Sequence, residues 1–324
     1  MISALIPLWV RALFSIFSFF ISSRCMVNLA PIKYSNVLSQ QGGPIERLEY
    51  AEGTLLEMPC THATAYLKPD LVAPELRLHT DVEQPDGAGS HRSTQVACHM
   101  AISEALERWA VYHCRESGNE AMAGMEFDHS SNGFAAFLGL FKCQARKAAF
   151  RESVERHCLI CWWEGLLGHR FLLDPKPGVR AVQIDNPFST HTVVILWSLH
   201  DGLHSYAFGA GTGLNQAVWR SLVELERMQA MLDCLRRGKH TQSPFGEEIR
   251  GLFERRIAYF STSAGMGRFL DRLERPVQGR HQPLKLLFDA AVVGPWDRHA
   301  TVWRTIIEPP SRDYLSEAED YFFW

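Results

Sequence analysis

Glu104-Ala105-Leu106-Glu107-Arg108 returns, altered in its middle, as Glu152-Ser153-Val154-Glu155-Arg156. Glutamates three apart on a helix are surface neighbours, so each copy sets two like charges side by side. An arginine one residue on can offset that repulsion, and so can a divalent cation. Neither pair lies on a polar stripe: Met100 and Val111 flank the first on its own arc, and Ala148 and Leu159 flank the second. Carboxylates among apolar neighbours are expected to be part-buried, and buried charge must be paired or metal-bound. Arg220 and Glu224 share a face of a third helix, behind Gly209-Ala210-Gly211-Thr212-Gly213. Mg²⁺ usually takes one or two carboxylates together with phosphate oxygens and water. Arginines neutralise phosphate oxygens through charge-assisted hydrogen bonds, and glycine loops opening helices offer N–H groups to anions. Glu104, Glu107, Glu152 and Glu155 therefore read as a metal–phosphate site. The rival reading is a solvated helix face with internal Glu–Arg pairs. The chain has no Gly-x-x-x-x-Gly-Lys-Ser/Thr loop and no kinase motif set, so a bound nucleotide would use a less common route.

Three long helices must position these residues. Gln95–Glu116 is apolar nearly all round and is expected to be largely buried. A loop over 125–139, holding Ser130-Ser131-Asn132-Gly133, leads to a helix over Lys142–Trp163, and Asn215–Arg237 follows the third glycine loop. Residues 27–86 read as short strands and turns, as does Phe171–Tyr206, with Val179–Ile184 and Thr192–Leu199 β-rich and a turn at Asp201-Gly202. Residues 246–275 read as helical, and Val302–Ile307 as a late strand. With no linker dividing the chain, the expectation is one α+β domain. Its recurring unit of glycine loop and acidic helix suggests internal duplication.

The 324 residues carry a formal net charge of −3, which gives no footprint for nucleic acid. Eight cysteines are scattered through apolar sequence, a pattern of reduced thiols that points to the cytoplasm. Cys158 and Cys161 have metal-like spacing but sit in a helix beside Trp162 and Trp163, which favours core packing. Ile2–Ser23 is apolar, broken by Pro7 and Arg11, and no basic residue precedes it. Residues 1–25 are read as an over-extended start before Met26, with 27–324 as the domain; a membrane anchor is the alternative.

Three ordered blocks resemble the YcaO proteins, ATP-dependent enzymes that activate peptide backbone amides. They are Gly89-Ser90-His91 with the first Glu-x-x-Glu-Arg, Ser131-Asn132-Gly133-Phe134-Ala135-Ala136 with the second, and Gly209-Ala210-Gly211 with Arg220 and Glu224. The resemblance implies that the four glutamates hold Mg²⁺ and that Glu107, Glu155 and Arg156 are catalytic. It implies nucleotide contacts from Ser90, Arg108, Ser131, Asn132, Ala136, Arg156, Arg220 and Glu224. It further implies a precursor-peptide substrate, azoline ring formation of the kind found in bacteriocin clusters, and an E1-like leader-binding partner. A flavin-dependent azoline dehydrogenase often stands beside such enzymes, and a homodimer is one arrangement open to them. Ser90 stands where the family usually has lysine, Arg227 replaces a common glutamine, and Tyr321–Trp324 lacks the Pro-rich ending of many azoline formers. These departures leave room for thioamide or amidine chemistry, or for a nucleotide- or peptide-binding scaffold.

Overall fold

The computed structural model describes residues 36–72, 85–117, 132–137, 142–237 and 252–322. The apolar extension at 1–25, Ser131 and the last two residues lie outside them. Among the described residues no helix is long and apolar enough to cross a membrane.

Three antiparallel sheets and three long helices build an α+β fold. The first sheet has the order β1 (Ile45–Leu55), β2 (Met58–Leu67), β3 (Gly87–His91). These strands are longer than the short ones expected, because β1 and β2 form a continuous hairpin. Its two-residue turn puts Leu56 and Glu57 at φ 52° and 64°, the left-handed region that favours glycine. The Leu56 N–H donates to Glu226 Oε2 at 2.7 Å. Alternate β2 residues Ala63, Ala65 and Leu67 pack on α1 (Thr94–Glu116), through Ala97, Ala101 and Ala105 among others. One face of α1 is buried, but Val96 and Met100 stay exposed, so the helix is amphipathic rather than buried all round.

The second sheet has the order β4 (Asn132–Phe137), β10 (Thr301–Ile307), β9 (Leu286–Ala291) and packs on α2 (Lys142–Trp163). The third runs β5 (His169–Phe171), β6 (Val179–Ile184), β7 (Thr192–His200), β8 (Leu203–Gly211). Val193, Ile195 and Trp197 of β7 face an aromatic core with α2, and Val194 and Leu196 face α3 (Leu214–Arg237). Burial on both faces explains the unbroken apolar run in β7. Two shorter helices, α4 (Leu252–Ser261) and α5 (Ser263–Glu274), complete the aromatic core. Cys158 and Cys161 are buried in that core, as their helical setting suggested.

The expected glycine loops are strands. Gly89 lies in β3, Gly133 in β4, and Gly209 and Gly211 in β8. A Cβ at Gly89 would collide with the carbonyl oxygen of Ala97, and one at Gly133 with that of Ala149. At Gly209 it would lie 2.8 Å from the Ser221 nitrogen. The missing side chains therefore let each strand press against a helix backbone.

Candidate functional site

β3, β4 and β8 are each the outer strand of their sheet, paired on one side only. Their open edges meet at the acidic turns, and glutamates take up edge N–H groups that lack a strand partner. Ala88, after Gly87, donates to Glu104 Oε2 at 2.9 Å. Phe134, after Gly133, donates to Glu152 Oε2 at 3.0 Å. Ala210, after Gly209, donates to Glu155 Oε2.

The arginine of each motif closes back on the first glutamate. Arg108 Nη2 lies 3.2 Å from Glu104 Oε1, and Arg156 Nη2 lies 2.8 Å from Glu152 Oε1. Glu104 and Glu152 thus have both oxygens engaged. Among the described residues Glu107 makes no hydrogen bond or ion pair, and Glu155 has only its backbone donor. Burial, then the charges of Glu152 and Glu104, hold the Glu107 carboxyl well above the usual range. Burial and Glu152 push Glu155 up to about 7, against the Ala210 N–H and nearby arginines. Burial and the charge of Glu152 act on both carboxyls, and a divalent cation nearby would offset that push.

On α3, Glu224 Oε1 accepts a hydrogen bond from Arg227 Nη1 at 2.8 Å. Burial raises Glu224, and Glu104 adds to the push against Arg227; its side chain is half exposed, so water moderates the effect. Burial and Arg151 bring Arg220 down to about 10, against the pull of Glu155 and Glu224. A cavity of about 270 Å³ opens between the helices. Glu152, Glu155, Arg156, Glu224 and Arg227 form its polar wall, and Phe208, Met228 and Met231 its apolar one. The arrangement can hold a ligand that combines a flat apolar group with an anion and a metal.

Glu104, Glu107, Arg108, Glu152, Glu155, Arg156, Arg220 and Glu224 are therefore brought together. Ser90 is turned to the sheet face away from α1, where its Oγ lies 2.9 Å from His62 Nδ1. Ala136 packs into the core near Val302. Asn132 opens β4, and Ser131 is outside the described residues. Sequence reasoning missed Arg151, His191 and the apolar wall of Phe208, Met228 and Met231. Arg151 had a signal, since it adjoins Glu152 where the first motif has Ser103.

Neither a protein-family model nor a curated protein matches the sequence. Solved structures do match. A chain of the E. coli microcin synthetase McbBCD complex aligns at TM-score 0.50 and 11% identity, over 81% of this chain and 87% of that one. The same complex with pro-MccB17 bound aligns at TM-score 0.50 and 12% identity, with the same coverage. The YcaO from Methanopyrus kandleri, bound with AMPPCP and Mg²⁺, aligns at 0.46 and 14% identity over 86% of this chain and 89% of that one. At these identities the likeness is one of fold, and the fold is that of a chain in the microcin synthetase.

Proposed function

We propose that this chain is an ATP- and Mg²⁺-dependent peptide cyclodehydratase that forms azoline rings in a ribosomally made precursor. The contrast within each acidic turn carries the reading. Glu104 and Glu152 are engaged by a strand N–H and an arginine, whereas Glu107 and Glu155 keep oxygens without a cationic contact. Glu107 and Glu155 would hold Mg²⁺, with Glu104 and Glu152 fixing the helices around them. The ion would screen charge on the phosphate groups and on the oxyanion being phosphorylated.

In the reaction a Cys, Ser or Thr side chain of the precursor attacks the preceding amide carbonyl. The oxyanion takes the terminal phosphoryl group of ATP, releasing ADP, and phosphate then leaves with the amide oxygen as the nitrogen loses its proton, giving the ring. This chain's share is positioning: Arg156 and Arg220 orient phosphate, and the wall of Phe208, Met228 and Met231 receives the apolar part of the ligand. The microcin synthetase is a complex, and one structure of it holds pro-MccB17. That supports a precursor peptide and partner subunits here; the family resemblance, not the complex, suggests an E1-like partner and a flavin-dependent dehydrogenase. The test is incubation with precursor, partner and Mg-ATP, followed by mass spectrometry. Loss of one water per ring is expected; unchanged peptide mass across partners that bind would overturn the reading.

One observation favours a second reading. Ser90 is engaged with His62 on the far face of its sheet, so nothing from that position supplies the lysine charge of the resembled family. A non-catalytic nucleotide- or peptide-binding subunit would bind Mg-ATP without hydrolysis, even with every partner present.

A further inference from the structure

Two cations of the site stand apart from its pairing scheme. Arg151 and Arg220 make no hydrogen bond and no ion pair among the described residues. Arg151 shares a face of α2 with Glu155, four residues on. Arg220 rises from α3 close to β8, where a Cβ on Gly209 would lie 3.0 Å from the Arg220 Cβ. His191 directly precedes β7, whose first residue Thr192 pairs with Gly211 at the end of β8. Its ring lies 5.9 Å from that of Phe150, the residue before Arg151. All three groups therefore gather at the carboxyl end of β8, beside Glu155.

Their charges act on one another there. After burial, Arg151 is the leading influence that lowers Arg220, and both arginines lower His191. Glu155 and Glu152 pull Arg151 the other way, though neither is in ion-pair contact with it. Two part-buried guanidinium groups with no partner among the described residues are costly, and an anion with several oxygens relieves that cost. Arginine's planar fork of donors suits phosphate, and imidazole adds one more donor. The first acidic turn has Ser103 in the place of Arg151, so this cationic end belongs to the second turn alone.

We propose that Arg151, Arg220 and His191 form a phosphate-binding subsite beside the carboxylates, with Arg151 and His191 as contacts beyond those the sequence motifs supply. The proposal deepens the reading above and rests on it for the source of the phosphate. That source is the terminal phosphoryl group of a bound nucleotide or the inorganic phosphate released from it.

The test begins without metal or nucleotide. Inorganic phosphate titrated calorimetrically into the full chain should bind, and Arg151→Gln and His191→Gln should each weaken it about tenfold, as loss of one charge-assisted hydrogen bond does. Arg151→Lys keeps the charge and should retain part of the affinity, and melting curves exclude variants that do not fold. Arg180→Gln, on the exposed side of β6, should change nothing. A non-hydrolysable ATP analogue with Mg²⁺ is titrated in parallel. Weakened analogue binding in the same variants assigns the subsite to the terminal phosphoryl group; unchanged analogue binding assigns it to released phosphate. Wild type that binds no phosphate, or folded Arg151→Gln and His191→Gln variants that bind it undiminished, overturns the subsite. Phosphate binding without analogue binding overturns the nucleotide reading and leaves the subsite standing.

Discussion

Glu152 and Glu155 belong to one turn of one helix, yet they take edge N–H groups from two different sheets. Glu152 accepts from Phe134 on β4, and Glu155 accepts from Ala210 on β8. A single helical turn thus fastens two sheets at their open edges. The same turn supplies Arg156, which holds Glu152 in place. On the proposed reading, Glu155 would add metal binding to the architectural contact that both glutamates make.

The glutamates should respond unequally to substitution. Mg-ATP should raise the melting temperature of wild type, and Glu107→Gln should abolish that rise while leaving the unliganded fold intact, because Glu107 makes no hydrogen bond among the described residues. Glu152→Ala should lower stability even without ligand, since it strands the Phe134 N–H and the Arg156 guanidinium. Differential scanning fluorimetry with and without Mg-ATP separates the two. Equal ligand responses in Glu107→Gln and wild type would remove Glu107 from the metal set.

The raised carboxyl of Glu155 gives a pH dependence of definite sign. Its folded value is about 7, above the ordinary 4.5, so between those values the folded chain holds a proton that the unfolded chain has released. Stability should therefore fall as pH rises through that window. Mg²⁺ favours the ionised carboxyl, so its binding should strengthen over the same window and release protons. Melting temperatures from pH 4.5 to 7.5, compared between wild type and Glu155→Gln, check the first point. A variant with the wild-type slope would show that Glu155 is not the group responsible.

Gly133 makes the closest strand–helix approach testable. Gly133→Ala drives a methyl group into the Ala149 carbonyl and should cost about 1–3 kcal/mol of stability. Gly213→Ala, with open space around the added atom, should change stability by less than about 0.5 kcal/mol. Urea unfolding of both variants measures the contrast.

The carboxyl-terminal segment depends on one buried cation. Arg256 donates to the carbonyl oxygens of Tyr314, Ser316 and Ala318 at 3.0, 2.8 and 3.1 Å. Beyond them Tyr321 donates to Glu164, and Phe322 packs against Tyr206 with ring centroids 4.7 Å apart. Arg256→Ala should cost about 2–5 kcal/mol and expose the segment after residue 312 to limited proteolysis. Removing the exposed Glu317 partner of Arg255 should cost far less.

Local signals in the sequence carried most of the helices and little of the sheet organisation. Lys142–Trp163 is read to its ends because helix-compatible sequence without Gly or Pro runs between Gly139 and Gly165. β4 escapes notice because it forms by pairing with β10 from far along the chain, and β9 escapes notice although its partner β10 is near in sequence. The glycines of the three blocks were legible as special, but their purpose was misread. Loop flexibility and interlayer contact call for the same residue, and only the packed structure distinguishes them. The paired glutamates were found by their spacing. Which member of each pair is already engaged depends on strand edges that spacing does not show. His191 had no signal at all, lying 40 residues beyond Arg151 and reaching that end of β8 only through the register of β7 with β8.

The turn at Leu56 and Glu57 has a consequence for the order of assembly. Each residue is held in a left-handed conformation that disfavours side chains by about 1–2 kcal/mol. Support comes from outside the hairpin, through Glu226 on the Leu56 N–H and Lys176 at 3.1 Å from Glu57. The Glu226 contact spans 170 residues of chain. The hairpin therefore cannot act as an autonomous nucleus, and its tip closes only after α3 has been synthesised and docked. On a ribosome, the tip of the amino-terminal hairpin would wait for α3, and the second sheet would wait longer still, for β9 and β10.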